Sequence, residues 1–220
     1  MSDSAPTAPE STTELAQPEP GKSKRPNVFP VLEKLAELYP RLFGSAFLPL
    51  KRGIFQDLLA AHPDVFERDL LKAALSMHTR STRYLSAVAS GQQRHDLTAQ
   101  AVEAMAPEHI HHALVEVFRR RQNRSKEDLR PQLIERMVRA IQESSLGCEA
   151  YAELNRGRDE EANALLDEAL TQARVLFAKN EALLRTFEAS GKTTEEFADM
   201  YGLKPKDVAR NLERARRSRA

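Results

Sequence analysis

The residues best suited to do chemistry lie between positions 41 and 97, and the chemistry they offer is electrostatic. From Arg41 to Arg94 there are eight Lys/Arg against four Asp/Glu, a local excess of +4 in a chain of 220 residues whose formal net charge is only +1. Lys51, Arg52, Arg68, Lys72, Arg80, Arg83 and Arg94 fall at the edges of apolar helical segments and turns. A cationic footprint of this kind suits the phosphates of a nucleic acid. An ordinary solvated helical domain has the same look, so charge alone leaves both readings open.

Covalent and metal chemistry have less to stand on. His109 and His112 share a helix face while His111 points elsewhere, and no Cys or carboxylate completes a ligand set. No metal and no cofactor is expected. Cys148 follows Gly147 in an expected loop with no neighbouring His, which argues against a nucleophile. As the single cysteine it has no partner for an internal disulfide, which suits a reducing compartment. There is no Gly-rich phosphate loop. No catalytic residue is assigned, and the chain is not expected to be an enzyme.

The elements that must position the cations follow from apolar spacing and from Pro and Gly. Val28, Val31, Leu32, Leu35 and Leu38 predict a first helix, which Pro40 should end. Pro49 and Gly53 bracket an extended bend, and 54–61 is a short helix. Residues 66–77 form a third helix with Leu70, Leu71, Ala74, Leu75 and Met77 inward, and 80–88 a fourth with Tyr84, Leu85 and Val88 on one side. Pro107 suits the first turn of a helix that runs to about Gln122.

Particular runs in this stretch resemble the ProQ/FinO family of bacterial RNA-binding proteins and RNA chaperones. They are Pro49-Leu50-Lys51, Gly53-Ile54-Phe55-Gln56-Asp57-Leu58, Thr79, Arg83-Tyr84-Leu85, Arg94-His95-Asp96-Leu97 and Pro107-Glu108-His109-Ile110-His111-His112-Ala113. The resemblance covers roughly residues 28–122. It implies a small hairpin pairing 93–97 with 101–105, although Thr98-Ala99-Gln100 is a poor turn sequence. It also implies a concave face that grips the base of a terminator hairpin and its 3′ U-rich tail. The matching residues are Lys51, Thr79, Arg83, Tyr84 and Arg94. Lys51, Arg83 and Arg94 would meet phosphates, Tyr84 would stack on or hydrogen-bond to a 3′ nucleotide, and Thr79 would cap the fourth helix. Each has a plainer reading: Tyr84 as core, Arg83 paired with Asp57 or Asp96, Lys51 and Arg94 as surface charges. There are departures from the family pattern. Lys72 stands where Arg is frequent and loses the bidentate fork. Ser76 replaces an Arg, His78 a Tyr, and Phe66-Glu67-Arg68-Asp69 a Ser-Lys helix start, with Asp64 or Asp69 left to cap. Arg52, Arg68 and Arg80 would compensate.

The flanks differ in composition. Residues 1–27 are rich in Ser, Thr, Ala, Pro and Glu, and read as a disordered tail ending in Lys22, Lys24 and Arg25. From 123 to 220, 18 Lys/Arg balance 18 Asp/Glu. Leu129, Leu133, Ile134, Met137, Val138 and Ile141 mark one amphipathic helix over about 126–145, and 159–189 reads as a long one. Their stripes must bury on each other, on the preceding domain or on a second copy, which leaves self-association open. Residues 194–201 and 205–217, joined at Gly202, read as a helix-turn-helix pair with Ala198, Gly202 and Val208 at the expected spacing.

The expected fold is therefore mainly α with a small β element over 28–122, plus an α-helical extension over 123–220. The expected function, through the resemblance, is binding of structured RNA: stem-loops with single-stranded 3′ ends, small RNAs and messenger 3′ hairpins. It would stabilise small RNAs and promote RNA–RNA pairing in the cytoplasm, with no membrane contact. Two alternatives remain: a DNA-binding regulator using 194–217, and a protein-interaction adaptor built on the C-terminal helices.

Overall fold

Two prolines at the start of the fold open helices. Pro30 lies in the first turn of α1 (Phe29–Leu38), and Pro40 begins α2 (Pro40–Phe43) directly after it. Pro40 does end α1, as expected, but the chain turns at Tyr39 (φ −132°, ψ 63°) and re-enters a helix at once. A proline lacks an N–H that the first turn would leave unpaired anyway. The computed structural model describes residues 27–219, so the tail expected over 1–27 lies outside the described residues but for Asn27.

After an irregular stretch, Gly53 in the left-handed region (φ +85°) launches α3 (Ile54–Ala61). A side chain there would be strained. Next come α4 (Arg68–Thr79) and α5 (Thr82–Val88), then β1 (Arg94–His95) and β2 (Ala101–Glu103) in an antiparallel pair, then α6 (Pro107–Gln122). The turn of this hairpin works because Asp96 replaces the missing turn residues. Its carboxylate accepts the N–H groups of Thr98 (2.9 Å) and Gln100 (3.0 Å) and the Thr98 hydroxyl (2.7 Å). Those bonds, the Thr98 hydroxyl foremost, hold the Asp96 carboxyl below its ordinary range.

Beyond α6 lie α7 (Arg130–Glu143), α8 (Cys148–Asn155), α9 (Glu160–Ser190), α10 (Thr194–Met200) and α11 (Pro205–Arg219). The α7 stripe of Leu133, Ile134, Met137, Val138 and Ile141 is buried against α6 and α9, so this chain covers its own apolar face. One buried cluster runs from Leu35 to Ala173, without a break at residue 122. A second, smaller cluster joins Leu184 of α9 to Phe197, Ala198, Val208, Leu212 and Ala215. The fold is mainly helical with one two-stranded sheet, and no helix among the described residues is long and apolar enough to cross a membrane.

Some local expectations need correction. Cys148 is not in a loop: it opens α8 and is buried, and burial raises its thiol pKa. Met77 faces solvent rather than the core. The side chains of Asp64 and Asp69 do not cap α4, whose N-cap position is Glu67 with no side-chain bond.

Candidate nucleic-acid interface

The irregular stretch from Gly44 to Gly53 is where the expected site residues meet. Its centre, Pro49–Lys51, is an extra strand in all but length. The His95 N–H donates to the Pro49 carbonyl (2.7 Å), and the Lys51 N–H donates to the His95 carbonyl (2.8 Å). Leu50 and His95 thus form a parallel bridge on the free edge of β1. Side chains pin the same segment from both sides. The Leu50 N–H donates to the Tyr84 hydroxyl (3.1 Å), and the Arg94 guanidinium donates to the Leu50 carbonyl (3.0 Å).

This arrangement decides between the readings open for each residue. Tyr84 is 7% exposed and its ring packs edge-on against His78, so it is a core residue and no stacking platform for a nucleotide. Burial raises its phenol pKa. The Arg94 side chain is only 13% exposed and lies 3.8 Å from Glu103, so much of its charge holds the loop. Lys51 sits 2.7 Å from Asp57, whose hydrogen bond raises the ammonium pKa; both groups are about one-third exposed. Arg52 lies beyond them, 81% exposed, with its Nη2 2.8 Å from Glu103. Glu103 therefore serves two guanidiniums, and its carboxyl is held below the usual range, first by the Arg52 N–H and then by the Arg52 side chain. Pairs this open to solvent are screened and individually weak.

Arg83 pairs with neither Asp57 nor Asp96. It donates to the Ser45 carbonyl and lies over the Phe47 ring, 4.4 Å from the centroid. Its charge carries no carboxylate partner among the described residues, and it is exposed. Phe47 in turn packs on His78 (4.3 Å between centroids), and His78 is buried among Phe43, Phe47 and Tyr84. Burial first, and the Arg83 charge second, push His78 down to about 4, so it is neutral at pH 7. The substitution of His at this position thus leaves the pocket under Arg83 uncharged.

Of the remaining expected residues, Arg68, Lys72 and Thr79 lie on α4 and Arg80 is at its C-cap. Arg68 stands over Phe55 of α3 at 5.5 Å, and Lys72 and Arg80 are exposed. Thr79 does not cap the next helix. Its hydroxyl donates back to the Leu75 carbonyl (2.9 Å), and the cap of α5 is Ser81, whose hydroxyl accepts the Tyr84 N–H at 3.2 Å. Lys51, Arg52, Arg83, Tyr84 and Arg94 are brought to one loop; Arg68, Lys72, Thr79 and Arg80 are not tied to it by any hydrogen bond among the described residues. Sequence reasoning missed Phe47 and Glu103. The second had a readable signal, since Arg94 and Glu103 are register partners in the hairpin.

Residues 26–130 match the model of the ProQ/FINO family. Among curated proteins, an RNA chaperone ProQ from Idiomarina loihiensis is 42% identical over 88 residues, which cover 38% of this chain and 42% of that protein. An RNA chaperone ProQ from Aeromonas salmonicida is 40% identical over 88 residues, covering 38% and 41%. The chain thus spans less than half the length of the curated relatives it matches. Among solved structures, a FinO-like RNA chaperone from Neisseria meningitidis is 32% identical over 39% of this chain and 88% of that one, with a TM-score of 0.36.

Proposed function

Residues 26–130 belong to the ProQ/FinO family, and on that premise we propose that this chain is an RNA-binding protein that acts as an RNA chaperone. Its ligands are stem-loops with single-stranded 3′ ends, in small RNAs and messenger 3′ regions. Binding stabilises those RNAs and promotes their pairing, by binding energy alone and in the bacterial cytoplasm.

One observation carries the reading: Lys51, Arg52, Arg83 and Arg94, four of the expected cations, converge on the single loop 44–53, held by Tyr84 and β1. An A-form stem hides its base edges in a deep, narrow groove, so a protein grips it through shape and phosphates. Arg83 and Arg52 are presented outward for this. Lys51 joins them on release from Asp57, while Arg94 contributes its field and shapes the loop. Arg68, Lys72 and Thr79 of α4 and Arg80 at its C-cap flank the face. We place the working unit at about 28–122, with 123–220 as a helical extension packed onto it.

A second reading rests on α10 and α11. Ala198 and Val208 are buried and Gly202 turns through the left-handed region (φ +64°), as a helix-turn-helix requires. Two of the cations on α11, Arg210 and Arg217, are already matched within the helix by Asp207 and Glu213, which lowers the charge available to DNA.

The experiment is a titration of the whole chain against three probes: a hairpin RNA with a 3′ U tail, the same hairpin without its tail, and a DNA duplex of equal length. Preference for the tailed RNA supports the proposal. Preference for the duplex would transfer function to α10–α11, and equal binding would reduce the surface to a generic cationic one.

A further inference from the structure

Three consecutive arginines end α6, and the structure gives them three different surroundings. Arg119 is neutralised by Asp159 (2.6 Å) and Glu161 (3.2 Å) at the start of α9. Arg120 reaches back to Glu116 (3.2 Å) and donates to the Arg80 carbonyl at the end of α4 (2.7 Å). Arg121 has no carboxylate partner among the described residues, and neither has Arg124, one turn further on. Both are exposed, and both line a cleft of about 350 Å³ with Thr82, Arg120, Ser125 and Leu129.

A further cation closes the strip. Arg136 of α7 lines a smaller cavity together with Arg121, and its one hydrogen bond among the described residues runs to the Ala89 carbonyl (3.3 Å) at the end of α5. Burial, with Arg121 and Arg139 beside it, depresses its guanidinium pKa. Like charges without counter-ions repel, and the fold holds them together without relief from its own carboxylates. Arg80, also exposed, joins this strip to the face described above through the Arg120 bond to its backbone. A helix C-terminus favours cations, and Arg119, Arg120 and Arg121 all lie in the last turn of α6, whereas Arg124 lies past the helix end and Arg136 on another helix.

We propose that Arg121, Arg124 and Arg136 form a second phosphate-binding strip for the backbone of the RNA held on the loop 44–53: Arg121 and Arg124 line the cleft beside the α4–α5 junction, and Arg121 shares the smaller cavity with Arg136 of α7. This inference rests on the RNA-binding reading. It extends the interface beyond residue 122, so the helical extension takes part in binding through Arg124 and Arg136 as well as in folding. The strip meets the phosphate backbone; it adds charge and length and leaves the choice of RNA to the first face.

The test compares the whole chain with Arg121→Ala/Arg124→Ala in titrations of the tailed hairpin RNA over a range of salt. Two exposed arginines that release counter-ions from phosphates lower the slope of log affinity against log salt by about 2, and weaken binding roughly tenfold at moderate salt. Arg121→Lys/Arg124→Lys retains most of that slope, because charge survives. A role confined to helix capping would shift the melting temperature and leave the slope intact. Unchanged affinity and slope in the Ala variant, with the wild-type chain binding normally, would overturn the strip alone. Failure of the wild-type chain to bind the RNA at all would overturn the RNA-binding reading and the strip with it.

Discussion

The Tyr84 hydroxyl accepts the backbone N–H of Leu50 at 3.1 Å, across 34 residues of sequence. This bond fixes the segment that presents Lys51 and Arg52, from inside the core. Tyr84→Phe keeps the ring and leaves the Leu50 donor buried and unpaired. Such a loss costs about 1–3 kcal/mol. Chemical denaturation should show that drop, and RNA affinity should fall with it although no phosphate contact is removed. Tyr84→Ala should be far worse, about 3–5 kcal/mol, because it empties a core position. Full stability in Tyr84→Phe would mean the bond does not hold the loop.

The Lys51–Asp57 pair makes a prediction with opposite signs for its two members. Lys51→Ala should weaken hairpin binding and flatten its salt dependence by about one phosphate contact. Asp57→Asn frees the ammonium and should strengthen binding and steepen the slope. If both variants weaken binding equally, the pair is a structural unit rather than a carboxylate waiting to be exchanged.

Two buried histidines should make the fold acid-sensitive. Burial pushes both His78 and His111 down to about 4, with the Arg83 and His112 charges as respective second causes. In the unfolded chain each takes up a proton near pH 6.5; in the folded chain it resists until about 4. Above 6.5 the two states hold the same protons and the histidines contribute no pH dependence. As pH falls from 6.5 toward 4, the unfolded state gains protons that the native state refuses, and stability drops by on the order of 3 kcal/mol per histidine. Denaturation midpoints across this range should show the decline, and His78→Phe should halve it. A flat profile from 6.5 to 4.5 would contradict the burial of both rings.

The cap of α5 is Ser81. Ser81→Ala should cost about 1 kcal/mol, as N-cap losses do. Thr79→Ala should cost less, since its hydroxyl only back-bonds to the Leu75 carbonyl within α4. The two thermal melts, run side by side, decide between them.

What could be read from the sequence was the set of helices with strong periodicity, and the reason lies in their packing. Leu133, Ile134, Met137, Val138 and Ile141 are spaced for one face, and that face is buried. The same holds for Ala198 and Val208 around Gly202. Helix α8 escaped notice because eight residues carry too few apolar positions for a period, and Gly147-Cys148 looked like a loop. Met77 sits beside buried residues in sequence but one position off the inward face. In the site, residue types were legible and their partners were not. Phe47 beneath Arg83 and Glu103 beneath Arg52 are contacts between distant segments, 36 and 51 residues apart, which no local pattern encodes. Tyr84 showed the same limit: its neighbours in sequence cannot tell a stacking ring from a core one.

The most direct test of the central claim is photo-crosslinking of the whole chain to a hairpin RNA whose 3′ tail carries 4-thiouridine, with the attached peptides mapped by mass spectrometry. Crosslinks are expected within residues 44–57 and 80–103, and their loss when Lys51 and Arg83 are both replaced by Ala. Crosslinks confined to residues 194–217, or crosslinks unchanged in the double variant, would contradict it.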